Sequence, residues 1–204
     1  MSTHWSVTIP AITTLPETYQ PGQTVKQLFP ARFPAATAIG RHDGRRVLQV
    51  YWIGARQPGT PVENPRQVAA YRYPRQYGPQ PPSFARAMLP PAGSAMPLML
   101  SGTAAIVGHE SQHRDCVEAQ LDEVLVNLDH LIDRARQQQP GLPASFGAGS
   151  RLKVYVRDAA ELPRVTEALA ARLPASVPHI VLHGAVCRRE LRVEIDGVHG
   201  HTVA

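Results

Sequence analysis

Three residues near the middle of the chain match a sequence motif that many metallopeptidases use to bind zinc. His109, Glu110 and His113 form H-E-x-x-H, which works only when both histidines lie one turn apart on the same face of a helix. Here the pattern follows Gly108 directly and ends before Asp115, where the sequence predicts the start of a helix. Because a connecting segment does not fix the required spacing, we expect a chance match and no metal site.

Arginine dominates the charged residues and indicates which ligands the protein could bind. It supplies all but two of the 21 basic residues, and the formal net charge is +5. A guanidinium pairs with a carboxylate or a phosphate through two parallel hydrogen bonds, so a small anionic ligand is one interpretation. Biased genomic composition is the other. The arginines are scattered without a basic run or regularly interleaved aromatic residues, so we expect no nucleic-acid partner.

Length and composition favour an ordinary globular protein. The chain has 204 residues, of which 43% are hydrophobic and 18% charged. No apolar run approaches the roughly 18 residues that span a bilayer, and residues 1–23 lack the basic and apolar regions of a signal peptide. Cys116 and Cys187 are too few for a disulfide framework. We therefore expect no membrane partner and a cytoplasmic location.

Hydrophobic periodicity predicts the elements that must position the reactive side chains. Apolar residues recur at three- and four-residue steps over 115–137, which predicts a long helix with a capping box of Asp115 and Glu118. A second helix is expected from Pro163, which suits a first-turn position. Strands are predicted at 45–54, 67–74, 83–89, 98–107, 152–158, 179–185 and 191–198.

The order of these elements predicts an α+β fold in which two helices pack on one face of a β-sheet. Residues 1–45 contain five prolines and show no sustained period. We expect them to form an extended N-terminal arm, with the α+β domain over 46–204. In the last strand, alternation places Glu194 and Asp196 on the face opposite to Val193 and Ile195.

Several stretches of the sequence together resemble the C-terminal half of the chorismatase family. The resemblance runs from about residue 28 to the C-terminus and is most specific over 62–113. Chorismatases in turn resemble the trimeric reactive-intermediate imine deaminases, so an imine-deaminase/chorismatase-like fold is implied. The stretches are VENPRQVAAYRYPRQYGPQPPSFARA (62–87), SGTAAIVGHESQH (101–113), DCVEAQLDEVLVNLDHLI (115–132), LKVYVRDAAELPRV (152–165) and CRRELRVEIDGV (187–198).

This resemblance implies catalytic roles for two residues. Glu194 corresponds to the acid that protonates the enolpyruvyl methylene of chorismate, which requires a carboxyl whose pKa is raised by burial or by neighbouring anions. Cys187 corresponds to a cysteine that acts as a nucleophile or proton shuttle in the type that forms 3-hydroxybenzoate. That type pairs the cysteine with a small glycine, here Gly102. The structural alternatives are a solvated strand carboxylate and a buried structural thiol.

The resemblance also implies a substrate-binding set. Arg86 and Arg157 would hold the two carboxylates of the ligand, because a planar fork fits each of them. Tyr73 and Tyr77 would hydrogen-bond the ligand or pack against its ring, and Thr103 would hydrogen-bond a carboxylate. The alternatives are surface ion pairs for the arginines and simple packing for the tyrosines.

The implied function is a chorismatase that converts chorismate to 3-hydroxybenzoate and pyruvate, with or without some 4-hydroxybenzoate, and that needs no cofactor. A hydrolytic chorismatase that yields a dihydroxycyclohexadiene carboxylate stays open. An imine deaminase also stays open, although His179 replaces the arginine that grips the substrate carboxylate there. A non-catalytic ligand-binding protein is the last alternative. Longer chorismatases carry a further N-terminal domain, so we expect this chain to form a homotrimer or another homo-oligomer.

Overall fold

The computed structural model describes residues 4–8, 33–42, 49–51 and 53–201. The helices are α1 (Val117–Arg136) and α2 (Leu162–Arg172), and short 3₁₀ helices lie at Ala70–Arg72, Arg75–Tyr77 and Ala159–Glu161. The strands are β1 (His4–Thr8), β2 (Thr37–Arg41), β3 (Val50–Tyr51), β4 (Thr60–Val62), β5 (Ala87–Leu89), β6 (Leu98–Ala104), β7 (Ile106–Val107), β8 (Glu110–Ser111), β9 (Arg151–Val156), β10 (His179–His183) and β11 (Val193–His199).

A six-stranded sheet forms the centre of the fold. Its strand order is β10-β9-β11-β6-β5-β4, with β10 parallel to β9 and the other neighbours antiparallel. The strand β11 lies between β9 and β6, where Glu194 is in register with Tyr155 and Ala104. The strand that carries the predicted acid is therefore held by hydrogen bonds on both sides.

Both helices pack on one face of this sheet, as predicted. Leu121, Leu128 and Ile132 of α1 are fully buried in the same cluster as Val193 and Ile195 of β11. The apolar residues of α2 belong to that cluster as well. Because side chains alternate along a strand, the apolar residues of β11 pack against the helices. Its acidic residues lie on the opposite, open face of the sheet.

The strand β2 lies across the open face. It bridges to Ala185 through Gly40, and the hydroxyl of Thr37 accepts a hydrogen bond from the backbone N–H of Gly102 at 2.9 Å. Together β1, β2 and β3 form a three-stranded sheet in the order β2-β1-β3. One strand of the predicted N-terminal arm, β2, thus covers part of the face on which Glu194 lies. The domain boundary at residue 45 stays a prediction, because residues 43–48 are outside the described ranges.

Several predictions about these elements differ from the structure. The strand predicted at 83–89 is limited to β5, and the one predicted at 98–107 is divided into β6 and β7. The strand predicted at 67–74 is wrong: this segment contains a 3₁₀ helix, bracketed by Pro65 and Pro74, which cannot donate to a strand ladder. The capping box at the start of α1 is also wrong, because Cys116 occupies the N-cap position without a side-chain cap. The carboxylate of Glu118 instead accepts two hydrogen bonds from Arg164 of α2, each at 2.7 Å.

The H-E-x-x-H residues lie outside α1, as expected, on the β7–β8 hairpin and the turn that follows it. His113 has a φ of 51°, and its ring lies 3.4 Å from Glu123, whereas the ring of His109 contacts the hydroxyl of Tyr77. The two histidines thus have separate partners. Within the described ranges, no three metal-binding side chains cluster together, and neither helix is long and apolar enough to cross a membrane.

Candidate active site

A cavity of about 170 Å³ lies between β2 and the open face of the six-stranded sheet. Most of its wall is apolar, and four ionisable side chains reach it. The apolar or neutral lining comes from Ala36, Thr37, Ala38, Pro82, Phe84, Gly102, Ala104 and Ile106, and the ionisable groups are those of Tyr73, Arg86, Cys187 and Glu194. Four of the predicted site residues besides Gly102 therefore meet in one cavity.

The carboxyl of Glu194 is buried in the wall of this cavity. The residue is 5% exposed, and no donor among the described residues hydrogen-bonds its carboxyl. Burial and the neighbouring Asp196 raise the pKa of Glu194 to about 8, against the opposing effect of Arg86 and Arg157. The carboxyl is mostly protonated at neutral pH and can donate a proton to a bound molecule.

Gly102 leaves the space that this carboxyl occupies. A Cβ atom built on Gly102 would lie 2.0 Å from Oε1 of Glu194, far inside any real contact distance. Any larger residue would push the carboxyl out of its place. The glycine is thus required by close approach, which is one of the few reasons for a glycine within a strand.

A second buried carboxyl lies behind the first. Asp196 is fully buried, and Lys153 and Tyr155 lie 3.1 and 3.2 Å from its carboxylate. The hydroxyl of Thr37 also hydrogen-bonds Asp196. Since this hydroxyl already accepts from the N–H of Gly102, it has its proton free to donate. Asp196 thereby ties β2 to the sheet and places a carboxylate close to Glu194.

Arg86 brings a buried cation to the cavity. It is 2% exposed, donates to the carbonyl of Val68 and the hydroxyl of Tyr73, and lies 5.3 Å from the ring of Phe84. Its Nε is buried without a partner in the described structure. Burial raises the pKa of nearby Glu63 to about 7, so that carboxyl offsets the cation only in part. An unpaired buried N–H is costly, and an anionic ligand would satisfy it.

Cys187 opens onto the same cavity. Its residue surface is exposed there, although the surrounding protein removes enough water to raise the pKa of the thiol to about 12. The negative charge of Glu194 acts in the same direction, while Arg188 and Arg86 oppose it. The thiol is therefore neutral at physiological pH and suits proton transfer better than direct attack as a thiolate.

Sequence reasoning missed Arg188, the residue next to Cys187. Its guanidinium lies 3.7 Å from the ring centre of Tyr77 and 5.0 Å from that of Tyr73. Nη1 donates to the carbonyl of His109 and to Ser111, while Nη2 is buried without a partner in the described structure. The available signal was the pair of tyrosines at 73 and 77, since arginine commonly stacks on aromatic rings.

Three predicted binding residues do not line the cavity. Arg157 directs its guanidinium to backbone carbonyls of residues 186, 188 and 191. Thr103 donates to the carbonyl of Ser101 and pairs with Ile195, so it lies on the helix-covered side of the sheet. Tyr77 lies beside the cavity, where its hydroxyl contacts His109 and its ring contacts Arg188.

Known proteins resemble this chain over most of its length. A chorismatase from Streptomyces rapamycinicus is 40% identical over 174 residues, which cover 83% of the chain and 52% of the relative. A 3-hydroxybenzoate synthase from Streptomyces hygroscopicus is 37% identical over 174 residues, covering 82% and 51%. The chain thus spans about half the length of the curated relatives it matches, and the predicted resemblance to chorismatases is confirmed. No protein-family model matches the chain.

Solved structures agree on the fold. A crystal structure of a chorismatase at 1.08 Å resolution has a TM-score of 0.63 and 33% sequence identity, covering 74% of this chain and 50% of that one. RidA from an Antarctic Psychrobacter species has a TM-score of 0.50 at 14% identity, covering 69% of this chain and 98% of that one. The latter likeness concerns the fold alone. The predicted α+β fold of the chorismatase and imine-deaminase type is confirmed.

The raised pKa of Glu194 predicts how stability depends on pH. The folded protein keeps a proton on this carboxyl up to about pH 8, whereas the ordinary value is 4.5. The stability contributed by the neutral carboxyl is present below pH 4.5 and is lost as pH rises through about 8. Glu194→Gln removes this loss, so its unfolding free energy, measured by urea denaturation, should exceed that of the wild type near pH 8.5 by on the order of 1–3 kcal/mol. This difference in stability should shrink near pH 5.

Glu167→Gln, on the exposed side of α2, is the control. A difference between Glu194→Gln and the wild type that does not depend on pH would contradict the assignment.

Proposed function

We propose that this chain is a chorismate-cleaving enzyme of the type that forms 3-hydroxybenzoate and pyruvate. The observation that carries the proposal is the buried, protonated carboxyl of Glu194, which faces a cavity lined by Arg86. Arg188 lies beside this cavity against the ring of Tyr73, and each of the two guanidinium groups has one buried nitrogen without a partner in the described residues. The similarity to proteins named chorismatase and 3-hydroxybenzoate synthase supports the choice of substrate. We extend the activity of those longer proteins to this chain as a hypothesis.

The first step is protonation of an enol ether. Glu194 transfers its proton to the methylene carbon of the enolpyruvyl group, which becomes an oxocarbenium-like leaving group. The neighbouring ring hydroxyl then attacks the ring carbon that carries this group, and the carbon–oxygen bond breaks to release pyruvate. The hydroxyl proton returns to the carboxylate of Glu194. The acid is thus regenerated without water or any cofactor.

The second step is aromatisation of the resulting arene-oxide-like intermediate. Cys187 lines the cavity beside Glu194 and carries a neutral thiol. It can donate a proton to the epoxide oxygen as the carbon–oxygen bond opens, and the resulting thiolate then takes up the proton that the ring carbon loses. This yields 3-hydroxybenzoate and restores the thiol. Opening the ring at the other carbon yields 4-hydroxybenzoate. The combination of Cys187 and Gly102 is the feature that favours the 3-hydroxybenzoate type.

Arg86 and Arg188 are the residues we assign to the two carboxylates of chorismate. Both guanidinium groups contact the ring of Tyr73, at 5.5 and 5.0 Å. Each keeps one buried nitrogen without a partner in the described residues. A ligand with two carboxylates, one on the ring and one on the side chain, satisfies both donors at once. Tyr73 and Tyr77 then form the aromatic wall between and beside them.

The direct test is incubation with chorismate in ¹⁸O-labelled water. The wild type should release pyruvate and an unlabelled aromatic hydroxyl, because the ring oxygen comes from the substrate itself. Glu194→Gln should lower the rate of pyruvate release by roughly 10²- to 10⁴-fold, whereas Glu167→Gln should match the wild type. Label in the ring hydroxyl, or a dihydroxycyclohexadiene product, would establish the hydrolytic alternative instead. Chorismate that raises the melting temperature without being consumed would favour a binding protein.

Arg188→Lys tests the assignment of the second carboxylate. Lysine keeps the charge but loses the planar fork and its contact with the two tyrosines, so KM should rise by roughly 10- to 100-fold. The turnover number should change less than KM, because Glu194 still delivers the proton. Arg189→Lys, at the exposed neighbouring position, is the matched control. An unchanged KM for chorismate would remove Arg188 from the site.

The imine-deaminase alternative has no supporting observation. His179, which stands where those enzymes have an arginine, hydrogen-bonds the carbonyl of Val177 through its ring. It is not among the residues that line the cavity. We favour a cytoplasmic location because Cys116 and Cys187 are both free thiols, as is usual in a reducing compartment.

We further propose that the chain forms a homotrimer or another homo-oligomer. The edge strand β10 exposes Ile180 and Leu182, at 53% and 37%, and β3 exposes Val50 and Tyr51, at 49% and 58%. Exposed apolar side chains on a strand edge are typical of a surface that another chain covers. Light scattering should give a mass above that of one chain. Ile180→Glu should shift it to the monomer mass, with Val126→Glu on the exposed side of α1 as the control, and a wild-type monomer with full activity would contradict the proposal.

A further inference from the structure

We propose that Arg157 is a positioning residue that holds the segment 186–191, so that Cys187 faces the cavity and Arg188 lies against Tyr73 and Tyr77 beside it. The chemical roles of these two residues rest on the function proposed above. The hydrogen bonds by which Arg157 holds the segment do not depend on that function. No member of the segment belongs to a helix or strand, so hydrogen bonds from elsewhere have to define its course.

One guanidinium accounts for three carbonyls of this segment. Nε of Arg157 donates to the carbonyl of Leu191 at 2.8 Å. Nη2 donates to the carbonyl of Arg188 at 2.7 Å and also to that of Val186. The carbonyls of the two residues that flank Cys187 therefore accept hydrogen bonds from the same nitrogen. Rotation of either peptide would break a charge-assisted hydrogen bond and turn the thiol away from the cavity.

Arg157 is itself fixed by the central sheet. It follows Val156, the last residue of β9, and its backbone N–H donates to the carbonyl of Arg192 at 2.8 Å. The guanidinium thus transmits the position of β9 and β11 to the backbone of this segment. The side chains of Arg188 and Glu190 contact the β7–β8 hairpin, but the other backbone ties to distant residues lie near the two ends of the segment. Those end ties join Ala185 to Gly40 and the carbonyl of Glu190 to the amide of Gln120.

The residue type matters as much as the charge. Nε and Nη2 of one rigid guanidinium donate to three carbonyl oxygens, whereas the ammonium of lysine is a compact charge on a flexible stem and does not fix all three. Arg157 is absent from the lining of the cavity. Its donors are turned to the protein backbone, which separates its role from that of Arg86 and Arg188.

This arrangement predicts an effect on the outcome of the reaction as well as on its rate. Loss of Arg157 leaves Glu194 on β11, so protonation and pyruvate release continue. Cys187 loses its orientation, so aromatisation becomes slower or less selective. The amount of 3-hydroxybenzoate formed per pyruvate released should therefore fall in Arg157→Ala. A general loss of folded protein would lower both products together and leave their ratio unchanged.

The experiment combines this ratio with a measurement that needs no chorismate. In a Cys116→Ser background, which removes the other exposed thiol, iodoacetamide reports the accessibility and ionisation of Cys187. Arg157→Ala should alkylate more than about tenfold faster, because a Cys187 that is no longer held in place loses part of the burial that raises the pKa of its thiol. Each unit by which that pKa falls gives tenfold more thiolate. Millimolar guanidinium, a free copy of the missing group, should slow alkylation and restore the product ratio. Arg189→Ala in the same background should match the wild type.

The outcomes separate this proposal from the proposed function. If Arg157→Ala does not fold, Arg157→Lys carries the same measurements with the charge retained and the fork lost. Alkylation of Cys187 at the wild-type rate would overturn the proposal, as would faster alkylation with an unchanged product ratio in an active enzyme. If the wild type releases no pyruvate from chorismate, the proposed function fails. A faster, guanidinium-sensitive alkylation would still support the grip of Arg157 on the segment.

Discussion

The burial of one carboxyl group, that of Glu194, is the constraint on which the rest of the site depends. A carboxylate in an apolar wall would be very unfavourable, so the group stays protonated there, and burial raises its pKa to about 8. The same burial needs space, which Gly102 provides on the adjacent strand. A strand held on both sides by neighbours keeps the carboxyl from turning towards solvent. The result is a carboxyl that keeps its proton at neutral pH, as the proposed role of Glu194 requires.

The cations around the cavity follow a second constraint. Arg86 and Arg188 are placed against aromatic rings and keep buried nitrogens without partners in the described part of the chain. A buried donor without a partner lowers the stability of the folded protein. A ligand that accepts a hydrogen bond from such a donor removes this cost, which favours binding. Their charges also oppose the raised pKa values of Glu194 and Cys187, the first through Arg86 and the second through both. The site therefore balances a neutral acid against fixed positive charge.

The fold places the hydrophobic core and the ionisable groups of the site on opposite faces of one sheet. The face under α1 and α2 is filled by aliphatic side chains, which hold the strands in place. The open face carries Glu194 and Asp196, and β2 covers it through the contacts of Thr37. Polar groups that would weaken a core thus sit where a ligand or a neighbouring strand can satisfy them. The chain spans about half the length of the curated relatives it matches, and the proposed self-association would supply further cover for the exposed strands.

The sequence by itself determined the features that depend on near neighbours. Alternation along 191–198 separated the carboxylates from the core, and the three- and four-residue period located α1, because both follow from the geometry of a single element. It also placed H-E-x-x-H outside a helix. Similarity to chorismatases identified Glu194, Cys187, Arg86 and Gly102, all of which meet in the cavity.

Only the tertiary structure decided which groups each arginine contacts. Arg157 and Arg188 are 31 residues apart and chemically identical, yet one turns to backbone carbonyls and the other to two tyrosine rings. The same holds for Glu118, which pairs with Arg164 of α2 in place of a local cap. Long side chains take the best partner within reach in space, and that partner is set by packing between distant parts of the chain. No local pattern records that choice.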